Sequence, residues 1–178
     1  RGKRQKSRRT RVPAHRSDHR QSVSEDDAKK GVRGYDAGKK VKGRKRHLIV
    51  DTMGLVLSVL VHRADIQDRD GAKLSVEQIK RHLRCLKVVF ADGGYAGQLV
   101  NWFKETVGWK LEIVKRSDQA SGFEVLPKRW IVERTFGWLN LYRRHSKDYE
   151  ELTENSEAMI YISMIRLMTR RLARQAAS

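Results

Sequence analysis

The sequence has 178 residues, a formal net charge of +18 and one cysteine. That length supplies one core of ordinary size and excludes two comfortable domains, while a lone cysteine excludes a disulfide framework or a zinc set and fits a reducing cytoplasm. No apolar stretch approaches the ~20 residues of a membrane span, and the positive excess points to a polyanion, most simply nucleic acid, although a basic protein of ribosomal type carries the same signature.

Residues 1–30 are expected to form a basic, disordered segment. Lys and Arg crowd Arg1 to Arg20, and Val12 is the one sizeable aliphatic residue there. Such a composition buries too little surface to offset ordering entropy, though an arm of this kind can track phosphates. The chain begins at Arg1 rather than methionine and is read as a fragment. From Gly31 the pattern becomes that of a folded segment, 31–174. Gly34 to Gly38 reads as a turn-rich loop. The run Lys39, Lys40, Lys42, Arg44, Lys45 and Arg46 reads as an edge that contacts phosphates, against the competing reading of a solvated loop. His47–Asp51 and Leu55–Val61 alternate as two strands around Thr52-Met53-Gly54, with His47 and His62 as structural histidines.

Asp65, Asp68 and Asp70 lack the glycine and terminal glutamate of a calcium loop, so they are predicted to open a helix through Leu74, Val76, Ile79 and Leu83. Cys85 is expected to be a small buried hydrophobe. Leu86 to Phe90 is a short apolar, β-branched run that delivers Asp92, and Gly93-Gly94 turn the chain sharply after it. A carboxylate at the end of a buried strand is placed where ligands bind in open α/β sheets, although aspartate also caps helices. Gln98–Val107 reads as a helix ended by Gly108, Trp109–Val114 as the last strand and Lys115–Leu126 as a loop. Pro127 suits the first turn of the next helix, on which Ile131, Thr135, Trp138 and Tyr142 share one side and Arg129, Glu133 and Phe136 another. A surface ion pair between Arg129 and Glu133 is the simple account of that spacing. A strand-end Asp92 with a helical Glu133 is also the two-carboxylate set that holds hard divalent cations for phosphodiester chemistry. Ser156–Arg174 is predicted to be an amphipathic helix packed over the sheet, whose Arg166, Arg170, Arg171 and Arg174 either add a DNA patch or complement the C-terminal dipole.

Several words in order carry a resemblance. They are Arg33-Gly34-Tyr35-Asp36-Ala37-Gly38-Lys39-Lys40, Lys42-Gly43-Arg44-Lys45-Arg46-His47 and Ala64-Asp65-Ile66-Gln67-Asp68-Arg69-Asp70-Gly71. Ala91-Asp92-Gly93-Gly94-Tyr95-Ala96-Gly97, Trp130-Ile131-Val132-Glu133-Arg134-Thr135-Phe136 and Glu157-Ala158-Met159-Ile160-Tyr161 follow. From about Gly31 to Ala173 the chain resembles the catalytic domain of bacterial insertion-sequence transposases of the DDE class, in the group called family five. The resemblance implies an α/β, RNase H-like mixed sheet flanked by helices, with Asp92 as the second catalytic acid and Glu133 as the third. It implies Mg²⁺ or Mn²⁺ as cofactor, double-stranded DNA at transposon ends and target as partner, a homo-oligomer, and a place in the bacterial cytoplasm at the nucleoid. Arg129 fits the arginine one turn before the glutamate in a neighbouring group. Leu126 and Asn140 stand at that group's tyrosine and lysine positions, so those two roles do not carry over, and Arg134, Arg143 and Arg144 are expected to contact phosphate instead.

The family's first acid lies on its first strand, in a word like Ile-Ile-Asp-Ser-Gln-Ser-Val-Lys-Thr-Thr. This chain has Ser17-Asp18-His19-Arg20-Gln21-Ser22-Val23 there. One permitted codon set for that stretch, read one base later, encodes the family's word. The hypothesis is that residues 1 to about 28 are translated outside the family's frame, so that the first central strand is missing or altered and Asp18 does not replace its acid. Two functions are therefore carried: metal-dependent cleavage and transfer of DNA strands at transposon ends, or a catalytically inactive, basic DNA-binding remnant of such an enzyme. Sequence-specific recognition would lie upstream of this chain.

Overall fold

The computed structural model describes residues 10–17, 31–114 and 128–177. Among them a 6-stranded sheet is built from β1 (Thr10–Ser17), β2 (Gly34–Asp36), β3 (Val41–Val50), β4 (Val56–Arg63), β5 (Leu86–Asp92) and β6 (Lys110–Val114). The helices are α1 (Asp68–Ile79), α2 (Gln98–Trp102, continued as a π turn over Phe103–Val107), α3 (Arg129–Asn140) and α4 (Thr153–Ala176).

The long hairpin of β3 and β4 starts the sheet. Asp51 makes its turn, since its Oδ1 accepts from the N–H groups of Met53 and Leu55 at 2.8 Å each. Gly54 follows at φ 82°, a conformation that glycine adopts without a Cβ penalty. β1 lies between antiparallel β3 and parallel β5, and β6 extends the sheet parallel to β5. Both sheet faces are covered, so β3 reads apolar on both sides along its later half. Ile49, Val89, Ala91 and Leu111 meet Val76 and Ile79 of α1 and Leu99 of α2. Leu48, Val50, Val59 and Val61 meet Ile131, Val132 and Leu139 of α3 and Ile160 of α4. Alternation along the strands thus sorts the chain into two helix layers with a mixed sheet between them.

Three expectations are corrected. The basic N-terminal segment supplies a mid-sheet strand at Thr10–Ser17, because the gap between β3 and β5 leaves two rows of backbone groups that pairing satisfies whatever the side chains. The rest of that segment, with Asp18, lies outside the described residues. Gly34–Asp36 is a short strand rather than a loop. Asp36 Oδ1 accepts from the N–H groups of Gly38 and Lys39, folding Ala37–Lys40 into a turn that pairs β2 with the start of β3. Cys85 is exposed, since burial begins only at Leu86 where β5 starts. The helix expected to open at the acids Asp65, Asp68 and Asp70 and run through Leu83, the helices at Gln98–Val107 and Ser156–Arg174 and the strand at Trp109–Val114 all form, with boundaries shifted by a few residues. Gly108 ends the α2 segment at φ 74°. Lys115–Leu126 and Pro127 lie outside the described residues.

Candidate active site

Asp92 is the last residue of β5, at the carboxyl end of the parallel strands, and is half-buried. Its Oδ1 accepts the Gly94 N–H at 2.9 Å and caps the short 3₁₀ turn Gly93–Tyr95. The capping role weighed against a functional one is therefore real. It also fixes the carboxylate at the strand end.

Strand alternation decides which way that carboxylate faces. Val89 and Ala91 pack toward α1 and α2, so Val88, Phe90 and Asp92 face the opposite layer, that of α3 and α4. α3 lies on that face and is anchored at two places. At its N-terminus the Lys128 ammonium sits 3.6 Å from the centroid of the Phe90 ring, two residues before Asp92. In its middle, Thr135 Oγ1 donates to the Gly54 carbonyl at 2.7 Å, and Arg134 Nη2 donates to the Met53 carbonyl at 2.8 Å. Ile131, Val132, Thr135 and Leu139 are buried against the sheet, and Glu133 lies on the exposed side of the helix. Both predicted acids thus belong to elements in contact on one face of the sheet, Asp92 at the strand end and Glu133 in the second turn of the covering helix.

The predicted phosphate contacts divide sharply. Lys39, Lys40, Lys42 and Arg143 are exposed. Arg44, Lys45 and Arg46 are not phosphate contacts. They lie on β3, which is covered on both faces, and each is taken up inside the protein. Arg44 Nη1 pairs with Asp148 Oδ2 at 3.3 Å, the two side chains being 4% and 8% exposed, and Arg44 also donates to the carbonyls of Val32, Glu150 and Glu151. Lys45 pairs with Asp36 at 3.0 Å and Asp68 at 3.3 Å and donates to the Ile66 carbonyl. Arg46 donates to the His145 carbonyl, and burial pulls its pKa below the usual arginine value. Arg134 is held between the Trp130 and Trp138 rings, 4.4 and 4.6 Å from their centroids, in addition to its bond to Met53. Arg144 is exposed but pairs with Glu150 at 2.6 Å. The Arg129 side chain lies outside the described residues.

What sequence reading missed is the partner of each buried cation. Three consecutive cations inside a strand demand buried partners, and these are Asp148 for Arg44, Asp36 and Asp68 for Lys45, and the His145 carbonyl for Arg46. His47 and His62 are structural, as expected. Their rings stack at 4.7 Å, His47 Nδ1 lies 3.1 Å from the Tyr95 hydroxyl, and His62 Nδ1–H donates to the Arg63 carbonyl at 2.7 Å. Asp65 pairs with Arg63, Asp68 with Lys45 and Asp70 with Lys73, and among the described residues no group of three or more His, Cys, Asp or Glu side chains is placed to hold a metal ion. Asp68 and Asp70 stand in the first turn of α1 instead. No helix among the described residues is long and apolar enough to cross a membrane.

Comparison with known proteins agrees with this arrangement. The family described as "Transposase DDE domain" matches residues 9–168, and so begins well before Gly31. A Burkholderia cepacia protein whose name describes it as a transposase for insertion sequence element IS402 is 30% identical over 110 residues. That alignment covers 57% of this chain and 51% of the relative, so the chain spans about half the length of the curated relative it matches. A half-buried aspartate ending a parallel strand, a glutamate on the helix across it and a family match over nearly the whole chain lead to one conclusion: the chain belongs to the transposase DDE domain family.

Proposed function

We propose that this chain carries the catalytic face of an insertion-sequence transposase, with an RNase H-like sheet on which Asp92 and Glu133 are two of the acids that serve cleavage and transfer of DNA strands. The observation that carries the reading is the placement of Asp92 at the carboxyl end of β5, on the sheet face covered by the helix that bears Glu133. The donor set fits Mg²⁺ or Mn²⁺, because hard cations take carboxylate oxygens and Mg²⁺ is commonly held by one or two carboxylates, its other positions going to water and phosphate. When bound, such ions polarise a phosphoryl oxygen and stabilise the leaving oxygen. The chain's own residues orient the reaction. Asp92 is fixed by the Gly94 N–H, and α3 is fixed by its bonds to the β3–β4 turn. Neither acid forms a covalent intermediate. Lys39, Lys40, Lys42 and Arg143 supply exposed charge for double-stranded DNA of transposon end and target, on a protein that works as a homo-oligomer at the nucleoid.

One observation favours a second reading, an inactive DNA-binding remnant. β1 contains no carboxylate, and its parallel pairing with β5 runs from Thr10 opposite Leu86 to Pro13 opposite Phe90. Nicking of supercoiled DNA in Mg²⁺ or Mn²⁺ separates the two. Nicking abolished in Asp92→Asn and in Glu133→Gln supports the enzyme, while salt-sensitive binding without nicking supports the remnant. Nicking unchanged in both variants contradicts the assignment of these acids.

A further inference from the structure

At the opposite end of the parallel strands from Asp92 lies a cavity of about 740 Å³, lined by none of the residues proposed for catalysis or DNA contact above. It opens where β5 and β6 begin, beside α2. Its floor is apolar, with Leu86 and Trp109 buried in the main core. Four cations stand over that floor, Arg84, Lys87, Lys104 and Lys110, and all are exposed. No acid lines it. Lys110 pairs with Glu112 at 2.9 Å, but both are well exposed, so that pair is weak and easily exchanged. Among the described residues Arg84, Lys87 and Lys104 have no ion-pair partner. This contrasts with β3, where each buried cation is answered by an acid or a carbonyl. Arg81 continues the exposed charge along the α1–β5 connection.

We infer that this groove binds the phosphate backbone of duplex DNA, as a second binding surface remote from the acids; the inference rests on the proposed function. Unanswered cations around a concave floor focus positive potential, and a polyanion gains by releasing its counterions there. A duplex fits better than a small anion because the charges line an open cleft rather than converge on one buried point.

The test is binding of a fluorescent 30-base-pair duplex by the full chain across a salt series. The groove variant is Lys87→Gln/Lys104→Gln. The control of equal charge is Lys73→Gln/Arg170→Gln, and Lys87→Arg/Lys104→Arg keeps the groove charge. Expected is a weaker groove variant, with the log–log salt slope reduced by about 0.9 for each phosphate that the groove no longer neutralises. The arginine variant and the control should keep the parent slope. A groove variant with the parent's slope and affinity overturns the groove while leaving the proposed function standing. A parent chain that binds no duplex overturns both. Equal weakening in groove variant and control reduces the effect to net charge and likewise overturns the groove.

Discussion

The Glu157 carboxylate accepts the backbone N–H of Val61 at 2.8 Å, and through that bond α4 closes the outer edge of β4. One turn later the Tyr161 hydroxyl accepts the N–H of Val59 at 3.2 Å. Alternate N–H groups on a strand edge and side chains four apart on a helix repeat at nearly the same distance, so one helix face can satisfy both. An open edge is a template for pairing with another chain, and this edge is capped by side chains rather than by a further strand.

That bond makes a pH prediction. Burial raises the Glu157 pKa above its ordinary value of 4.5, against the lowering effect of the Val61 N–H. A raised folded value means stability from this group that is full below 4.5 and is lost as pH rises through the folded value. Glu157→Gln keeps an acceptor and removes the charge. Urea unfolding should show the parent gaining stability relative to that variant on acidification toward 4.5, with the variant at least as stable near neutrality.

His62 has the opposite sign. Burial lowers its pKa below 6.5, and the nearby Lys45 charge adds to this. Its contribution is present above 6.5 and is lost as pH falls through the folded value. Site-resolved NMR should find the His62 midpoint below 6.5, with Asp65 and Asp68 opposing the shift and Lys45→Met raising the midpoint.

Gly71 explains why the His47–His62 stack tolerates no bulk. A Cβ added there would meet the Nε2 atoms of both rings, each fixed at its other nitrogen. Gly71→Ala should therefore destabilise despite alanine's better helix propensity, by about 1–3 kcal/mol in chemical denaturation, as overpacking does. A gain in stability would show that the rings yield freely.

Arg44 and Asp148 form a buried pair, and Asp148 also accepts from the Ser156 hydroxyl at 2.7 Å, where α4 begins. Asp148→Ala should cost about 3–5 kcal/mol by stranding the guanidinium. Arg44→Met/Asp148→Leu should cost clearly less than Asp148→Ala, since it removes both charges together. Melting curves of the three proteins decide this.

The sheet after Gly31 was largely legible because β5 and β6 alternate or run apolar, and Gly93-Gly94 and Gly108 punctuate them. β1 was not. Thr10–Ser17 is polar, carries two arginines and places Pro13 mid-strand, where a ladder N–H is missing. Its position comes from the gap between β3 and β5, which local pattern does not encode. Asp92 was legible as a strand-end acid. The burial of Arg44, Lys45 and Arg46 was not, because a basic run looks the same whether it faces water or buried acids and carbonyls from other elements.

The most direct measurement of the central claim is the rate of Mg²⁺-dependent nicking of supercoiled DNA by the parent chain and by Asp92→Asn, with equal folding of the two shown by thermal melts. The account predicts nicking by the parent that needs the divalent cation and falls to background in Asp92→Asn. Nicking of equal rate in the variant, or none by the parent at any divalent cation concentration, would contradict it.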